Sequence, residues 1–478
     1  MRKFLEKKMK NPLLRTALAA VTALALTVGA FAQAAPAKQA PPPGGKPKPF
    51  AVPAAQTFSL PNGLKVTMVP YGDVPKVAVL AVIEAGNINE TADTVWLGDL
   101  TVSLLKEGTQ KRSSAQVDEA VAGMGGTLTI GMGADQSTAG GEVLSEFGPD
   151  YVKLIAEVIQ QPLLPASEID RLKADMLRNM TINRSTPQSQ ANEAFRKILY
   201  PDHPYGRIYP TEAMVKGYTI DMVKKFYDDN FGAARTHLYV AGKFDAAAMR
   251  KAITDSFSGW KKGADPARTP PKTAGKRMLQ LIDRPNAPQS TLYIGLPITD
   301  PSNPDFMPVR VMNAILGGSF GSRITSNIRE KKGYTYSPSS QLSIRYRDTY
   351  WIETADVTTA VTGPSLKEIF YEIDRLRTEP PSQDELDGIK NYLAGIFVLQ
   401  NSTRMGVINQ LNFRNLHGLG ADYLTTYVQK IHAVTPQQVQ EVAKKYIDPA
   451  HMTIVVVGDK SKIAEQIAPY EKGSSGGN

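Results

Sequence analysis

The strongest constraint on this 478-residue sequence is that it contains a copy of itself. The stretch opening at Thr219, TIDMVKKFYDDNFGAARTHLYVAGKFD, aligns without a gap on the stretch opening at Thr435, TPQQVQEVAKKYIDPAHMTIVVVGDKS. Thr219 falls on Thr435, Val223 on Val439 and Gly242 on Gly458, an offset of 216 residues. A second pair, Ser167–Lys173 and Asp384–Lys390, repeats at 217. Two long offsets agreeing within one residue imply two homologous halves. The expected organisation is a first half over 51–262, a polar, Pro-rich linker over 263–276, a second half over 277–470 and a tail over 471–478.

Each copy reads as a capped helix, an apolar strand and a further helix. Thr219 and Thr435 are suitable N-caps, and Pro436 suits the first helical position. Ser382 and Glu385 have the spacing of a capping box. Each half opens with strand signals, Gly63–Val69 and Lys76–Ile83 in the first, Met278–Ile282 and Ser290–Leu296 in the second. Helical periodicity follows, interrupted by a strand pair at 126–143 and again at 334–356. The predicted class is α+β, with an antiparallel-rich sheet in each half and helices packed mostly on one face.

Charge narrows the function. All but one of the nine net positive charges lie in the first 50 residues. The remaining body is nearly neutral and has no electrostatic claim on nucleic acid. Residues 1–34 read as a secretory signal, with a basic start, an apolar run over Thr16–Ala32 and a small-x-small exit at Ala32-Gln33-Ala34. The alternative is an uncleaved anchor. The expected destination is a Gram-negative periplasm. Residues 35–50 read as an extended Pro/Lys-rich linker.

The absence of cysteine excludes disulfides, thiolate metal sites and cysteine nucleophiles. The five histidines are widely spaced, so no helical pair can hold zinc. The Gly-rich stretches contain neither a P-loop nor a dinucleotide fingerprint. One segment is more distinctive: Gly317-Gly-Ser-Phe-Gly-Ser-Arg-Ile, then Ile328-Arg-Glu-Lys-Lys-Gly-Tyr-Thr-Tyr-Ser. It predicts a helix over Ser322–Lys332, a C′ glycine at Gly333 and a strand directly after it. Arg329 would lie in the last turn and Tyr336 early in the strand, both able to point into one space. Equally, Arg329 could answer the helix dipole and Tyr336 could pack in the core.

This segment resembles the C-terminal half of the pitrilysin/insulinase metallopeptidases, the inverzincins. The resemblance extends over 55–470 and includes Leu104-Leu-Lys-Glu-Gly-Thr-Gln-Lys-Arg-Ser113 and His203-Pro-Tyr-Gly206. It implies a duplicated clamshell half. Active members carry H-x-x-E-H where this chain has Asp99-Leu-Thr-Val-Ser103. Asp99 and Ser103 stand at the histidine positions and Val102 at the general-base glutamate. The third ligand falls near Arg178-Asn179. The resemblance therefore implies no metal in this chain.

It also implies that Arg329 and Tyr336 are functional, because members of the family complete the active site with an Arg/Tyr pair of this spacing. Some members split the work between a zinc chain and an Arg/Tyr chain, and this sequence is similar to the second kind. The expected function is a non-metal-binding subunit of a periplasmic heterodimeric zinc peptidase, inactive alone. It would supply Arg329 and Tyr336 to an H-x-x-E-H partner holding the zinc. Extended or unfolded peptides are the expected substrates, held by strand addition, with the strands near 126–143 as candidates. The alternatives are a non-catalytic scaffold or core-protein-like subunit, and a peptide-binding protein of the same fold.

Overall fold

The computed structural model describes residues 54–273 and 275–471. The expected signal (1–34), the linker 35–50 and the tail beyond 471 lie outside the described residues. The strands follow the repeat. The first sheet is built from β1 (Gln56–Ser59), β2 (Lys65–Pro70), β3 (Lys76–Ile83), β4 (Thr129–Met132), β5 (Ser137–Leu144) and β6 (Thr236–Gly242). Their order across the sheet is β1-β2-β6-β3-β5-β4. The second comprises β7 (Met278–Asp283), β8 (Gln289–Ile298), β9 (Ser339–Arg345), β10 (Asp348–Thr358) and β11 (Thr453–Gly458). Here the order is β7-β11-β8-β10-β9.

The apolar strands of the internal repeat, β6 and β11, occupy equivalent places. Each pairs parallel with one neighbour and antiparallel with the other, β2 and β3 for β6, β7 and β8 for β11. The preceding helices, Ile220–Asn230 and Pro436–Tyr446, are capped as their sequences demand. Thr219 accepts from the Met222 amide and Thr435 from the Gln438 amide, the latter within a full capping box.

Why these strands are apolar on both faces follows from what covers them. In the first sheet Val77, Val79, Ala81 and Ile83 of β3 join Val66, Met68, Leu238 and Val240 against helices of the same half. Helix Gly148–Gln160, opened by Pro149, is one of them. The opposite face, with Ala78, Leu80, Val82 and Tyr239, is buried in the core that contains Val407, Ile408 and Leu411. These belong to helix Arg404–His417 of the second half, which lies on β3 and β6. The exchange is reciprocal. Helix Pro187–Leu199 of the first half lies on β8 and β11, burying Ala191, Phe195 and Leu199 against Tyr350, Ile352, Val455 and Val457.

Polar contacts reinforce the exchange. Arg404 donates to both oxygens of Glu142, at 2.7 and 3.0 Å. Asn412 and Gln136 exchange amide hydrogen bonds, and Asn415 donates to the Tyr239 hydroxyl at 2.7 Å. Tyr200 donates to buried Asp348, and the Tyr346 amide donates to Asp135 at 3.2 Å. The Pro-rich connection over 263–276 is held along its path. Arg268 pairs with Glu84 at 2.8 Å and lies over the Tyr346 ring, while Thr273 donates to Asp348.

Two local expectations are corrected. Ser382 does cap helix Gln383–Gln400, but Glu385 does not return its half of a capping box. Its carboxylate instead takes a bidentate pair from Arg323, at 2.8 and 2.7 Å, and the charge-assisted fork outcompetes a single backbone amide. The expected α-helix over Ser322–Lys332 is a π-helix over Thr325–Lys331, with the Lys332 amide reaching back five residues to Asn327.

The helix exchange makes a prediction. Phe195→Ala removes a fully buried ring from a first-half helix at the second sheet. It should cost about 3–5 kcal/mol. In urea denaturation followed by circular dichroism, both sheets should be lost in one transition at lower midpoint. A separate early transition of one half would show that the exchange does not couple them.

Candidate functional site

Helix Leu97–Leu105 carries the positions where the resemblance expects a metal motif. It packs against helix Ile220–Asn230, helix Ile169–Arg184 and β4. Gly98 lets that last contact close, since a Cβ there would lie 2.3 Å from the Met132 sulfur and the flexible Met132 side chain would have to move. No side chain of the N-cap residue, Trp96, caps the helix. Glu90 does so from outside, accepting the Gly98 amide at 2.9 Å.

Asp99 and Ser103, four residues apart, share one face of this helix. Both are already engaged. The Asp99 carboxylate accepts from the Asn87 amide group at 2.8 Å, and the Ser103 hydroxyl donates to the Asp99 carbonyl at 2.8 Å. Val102 turns into the core. Arg178, near the expected third-ligand position, pairs with Asp175 at 2.9 Å on helix Ile169–Arg184 and is exposed. Among the described residues, no three His, Asp or Glu side chains gather as a metal-binding set.

What lies beside Asp99 instead is a second carboxyl group. Asn87 bridges the two, donating also to Glu90 at 3.3 Å. Burial and the neighbouring Asp99 push the Glu90 carboxyl from its ordinary 4.5 up to about 8, against the lowering effect of hydrogen bonds from the helix amides and Asn87. Burial raises Asp99 as well. No signal in the sequence separates Glu90 from an ordinary loop acid, because its partners reach it only through the fold.

The second motif lies in the other half. The π-helix Thr325–Lys331 packs on helix Thr362–Thr378 and ends at Gly333, whose φ of 65° is the left-handed conformation expected there. Arg329 lies in its last turn. Tyr336 is not in the strand as expected. A single bridge at Thr335 pairs with Val357, and β9 starts only at Ser339. Pro338 has no amide to contribute to the ladder, so Tyr336 remains in the connecting segment. It is 81 % exposed.

The structure nevertheless brings Arg329 and Tyr336 together. The guanidinium carbon is 4.9 Å from the centre of the Tyr336 ring and 4.6 Å from that of Phe320. Each such contact contributes about 0.5–1 kcal/mol at an exposed site. Arg329 Nε pairs with Glu330 at 3.1 Å. Of the two readings left open for these residues, the one that has Tyr336 packed in the core is corrected. Arg329 is held by rings rather than only by the helix dipole, and Tyr336 is a surface ring rather than a core one.

The fold and the two motif positions define a duplicated peptidase-type α+β chain whose two halves bury each other's sheets. Comparison with known proteins agrees. Residues 69–210 match the family model described as insulinase (peptidase family M16), and residues 217–393 match the one described as peptidase M16 inactive domain. The chain belongs to the M16 peptidase family. Among its relatives is an uncharacterized zinc protease of Streptomyces coelicolor, 22 % identical over 419 residues, which cover 86 % of this chain and 91 % of that protein. Another, from Rickettsia felis, is 25 % identical over 341 residues, covering 70 % and 81 %. A crystal structure of a peptidase M16 inactive domain from Pseudomonas fluorescens superposes with a TM-score of 0.78 at 24 % identity, covering 85 % of this chain and 98 % of that one. A protease from Helicobacter pylori gives 0.78 at 18 % identity, covering 85 % and 100 %. These two likenesses carry the fold.

A zinc ion, which the relatives' names imply for them, does not fit the residues here. Asp99 is the single anionic oxygen donor among the four motif positions, and Asn87 already holds it. Val102 has no donor atom, Ser103 is neutral and committed, and Arg178 is a cation.

The Glu90 site predicts a pH dependence. Between 4.5 and about 8 the unfolded chain has released a proton that the folded chain still holds, so stability falls as pH rises through that window. The slope reaches about 1.4 kcal/mol per pH unit. Glu90→Gln keeps an acceptor for Gly98 and removes the titration. In urea denaturation at pH 6 and pH 8, the wild type should lose more stability than the variant over that interval.

Proposed function

We propose that this chain is the metal-free subunit of a two-chain zinc peptidase of the M16 family, working in the periplasm. The observation carrying this reading is the division of its two motifs. In one half, Arg329 and Tyr336 stand together at the surface. In the other, the positions that would hold a metal are occupied by Asp99, Val102 and Ser103, committed to the chain's own structure. A donor pair maintained beside a motif that has lost its metal chemistry serves a reaction centre in another chain.

The chemistry fits that role. Hydrolysis of a peptide bond places negative charge on the former carbonyl oxygen. The Arg329 Nη groups and the Tyr336 hydroxyl are hydrogen-bond donors that can meet it. The partner, an H-x-x-E-H homologue, would supply the zinc-activated water. Extended peptide substrates would add along a sheet edge. In the first sheet β4 is an edge strand, within the stretch 126–143 that the sequence singles out.

Two measurements test the reading. The purified chain alone, dialysed against a chelator and then offered zinc, should bind less than one equivalent and cleave no quenched fluorescent peptide; stoichiometric zinc by atomic absorption would refute the metal-free assignment. In complex with its H-x-x-E-H partner, Arg329→Ala and Tyr336→Phe should each lower turnover by about 10²–10³ without dissociating the complex. Turnover near wild type in both variants, with the complex intact by size exclusion, would move the chain to a scaffold role.

A further inference from the structure

We infer that Phe320 is a positioning residue that fixes the guanidinium of Arg329 for transition-state stabilisation. Its consequence for turnover rests on the function proposed above; the contact itself does not.

Phe320 is 72 % exposed. Its loop is held at both ends. At the root, a Cβ on Gly317 would lie 2.6 Å from both Ser340 Oγ and Glu353 Oε2, and one on Gly318 would lie 2.4 Å from Asn313 Nδ2. Only glycine lets the backbone pass so close to these groups. At the far end the Ser322 amide donates to the Ser319 carbonyl at 3.1 Å, and Arg323 is locked in its bidentate pair with Glu385. The ring therefore projects into solvent from a backbone with little freedom to follow it.

What the ring meets is Arg329. The guanidinium carbon lies 4.6 Å from the Phe320 centre and 4.9 Å from that of Tyr336, so both rings bear on one cation. The Arg329 side chain is only 25 % exposed although both rings beside it are largely in water. Glu330 takes the Nε edge at 3.1 Å. The two Nη groups have no partner among the described residues. An arginine with two rings against its guanidinium and an acid at Nε keeps its two Nη donors for a developing oxyanion. A long side chain held by Tyr336 alone would sample other rotamers and align those donors only part of the time. Donors fixed before the reaction are the ones that accelerate it.

The test uses Phe320→Ala and Phe320→Trp, with Arg329→Ala as reference. Because Phe320 is exposed, neither Phe320 variant should shift the melting temperature. In the isolated chain, the rate at which phenylglyoxal modifies Arg329, followed by peptide mass mapping, should rise about two- to five-fold in Phe320→Ala and return to wild type in Phe320→Trp. In the complex with the zinc-binding partner, Phe320→Ala should lower kcat by a similar factor with KM unchanged, and Phe320→Trp should restore it. An unchanged modification rate in Phe320→Ala overturns the clamp. A raised rate with unchanged kcat, in a complex that Arg329→Ala does slow, overturns the positioning role and leaves the proposed function standing. If Arg329→Ala itself leaves turnover intact, the positioning role falls, and if Tyr336→Phe leaves it intact as well, the proposed function falls too.

Discussion

The constraint on which the rest of this structure depends is that each sheet has two apolar faces and only one set of its own helices to cover them. β3 shows the problem in one strand. Val77, Val79, Ala81 and Ile83 meet helices of the first half, while Ala78, Leu80 and Val82 would face water if that half stood alone. The solution is the exchange of Pro187–Leu199 for Arg404–His417, which buries the back of each sheet against a helix from the other half. Burial at roughly 25 cal/mol per Å² of apolar surface makes this the largest favourable contribution available between the halves. Arg404–Glu142 and Tyr200–Asp348 add direction rather than bulk.

That arrangement also separates the two motifs. Helix Leu97–Leu105 is committed to the first half, against β4 and its neighbouring helices, and the π-helix Thr325–Lys331 to the second, against helix Thr362–Thr378. Asp99, Val102 and Ser103 are part of the structure of their half: Asp99 shares Asn87 with Glu90, Ser103 bonds the helix backbone, and Val102 fills the core. Phe320, Arg329 and Tyr336 instead gather at the surface of the other half.

Electrostatics follow the same division. Buried carboxyl groups such as Glu90 and Glu353 are raised because water is excluded around them. The exposed cluster uses a cation against two rings, contacts worth about 0.5–1 kcal/mol each at an exposed site. The buried acids make the fold sensitive to rising pH.

The sequence determined the duplication, because an offset near 216 residues is a property of the chain alone, and with it the class of the fold and the equivalence of β6 and β11. It also placed Arg329 near Tyr336, since short separations survive folding. It could not show the helix exchange, because an amphipathic helix records that it has an apolar face and not which sheet will cover it. Glu385 left its capping box for Arg323, a residue 62 positions earlier, and Tyr336 stayed out of the strand because Pro338 interrupts the ladder before β9 begins. Phe320 closing on Arg329 and Glu90 closing on Asp99 were likewise decided by tertiary structure. For the helix exchange and the Arg323–Glu385 pair the energy resides in a contact between segments whose approach is set by the packing of the sheets, and no local propensity encodes that approach.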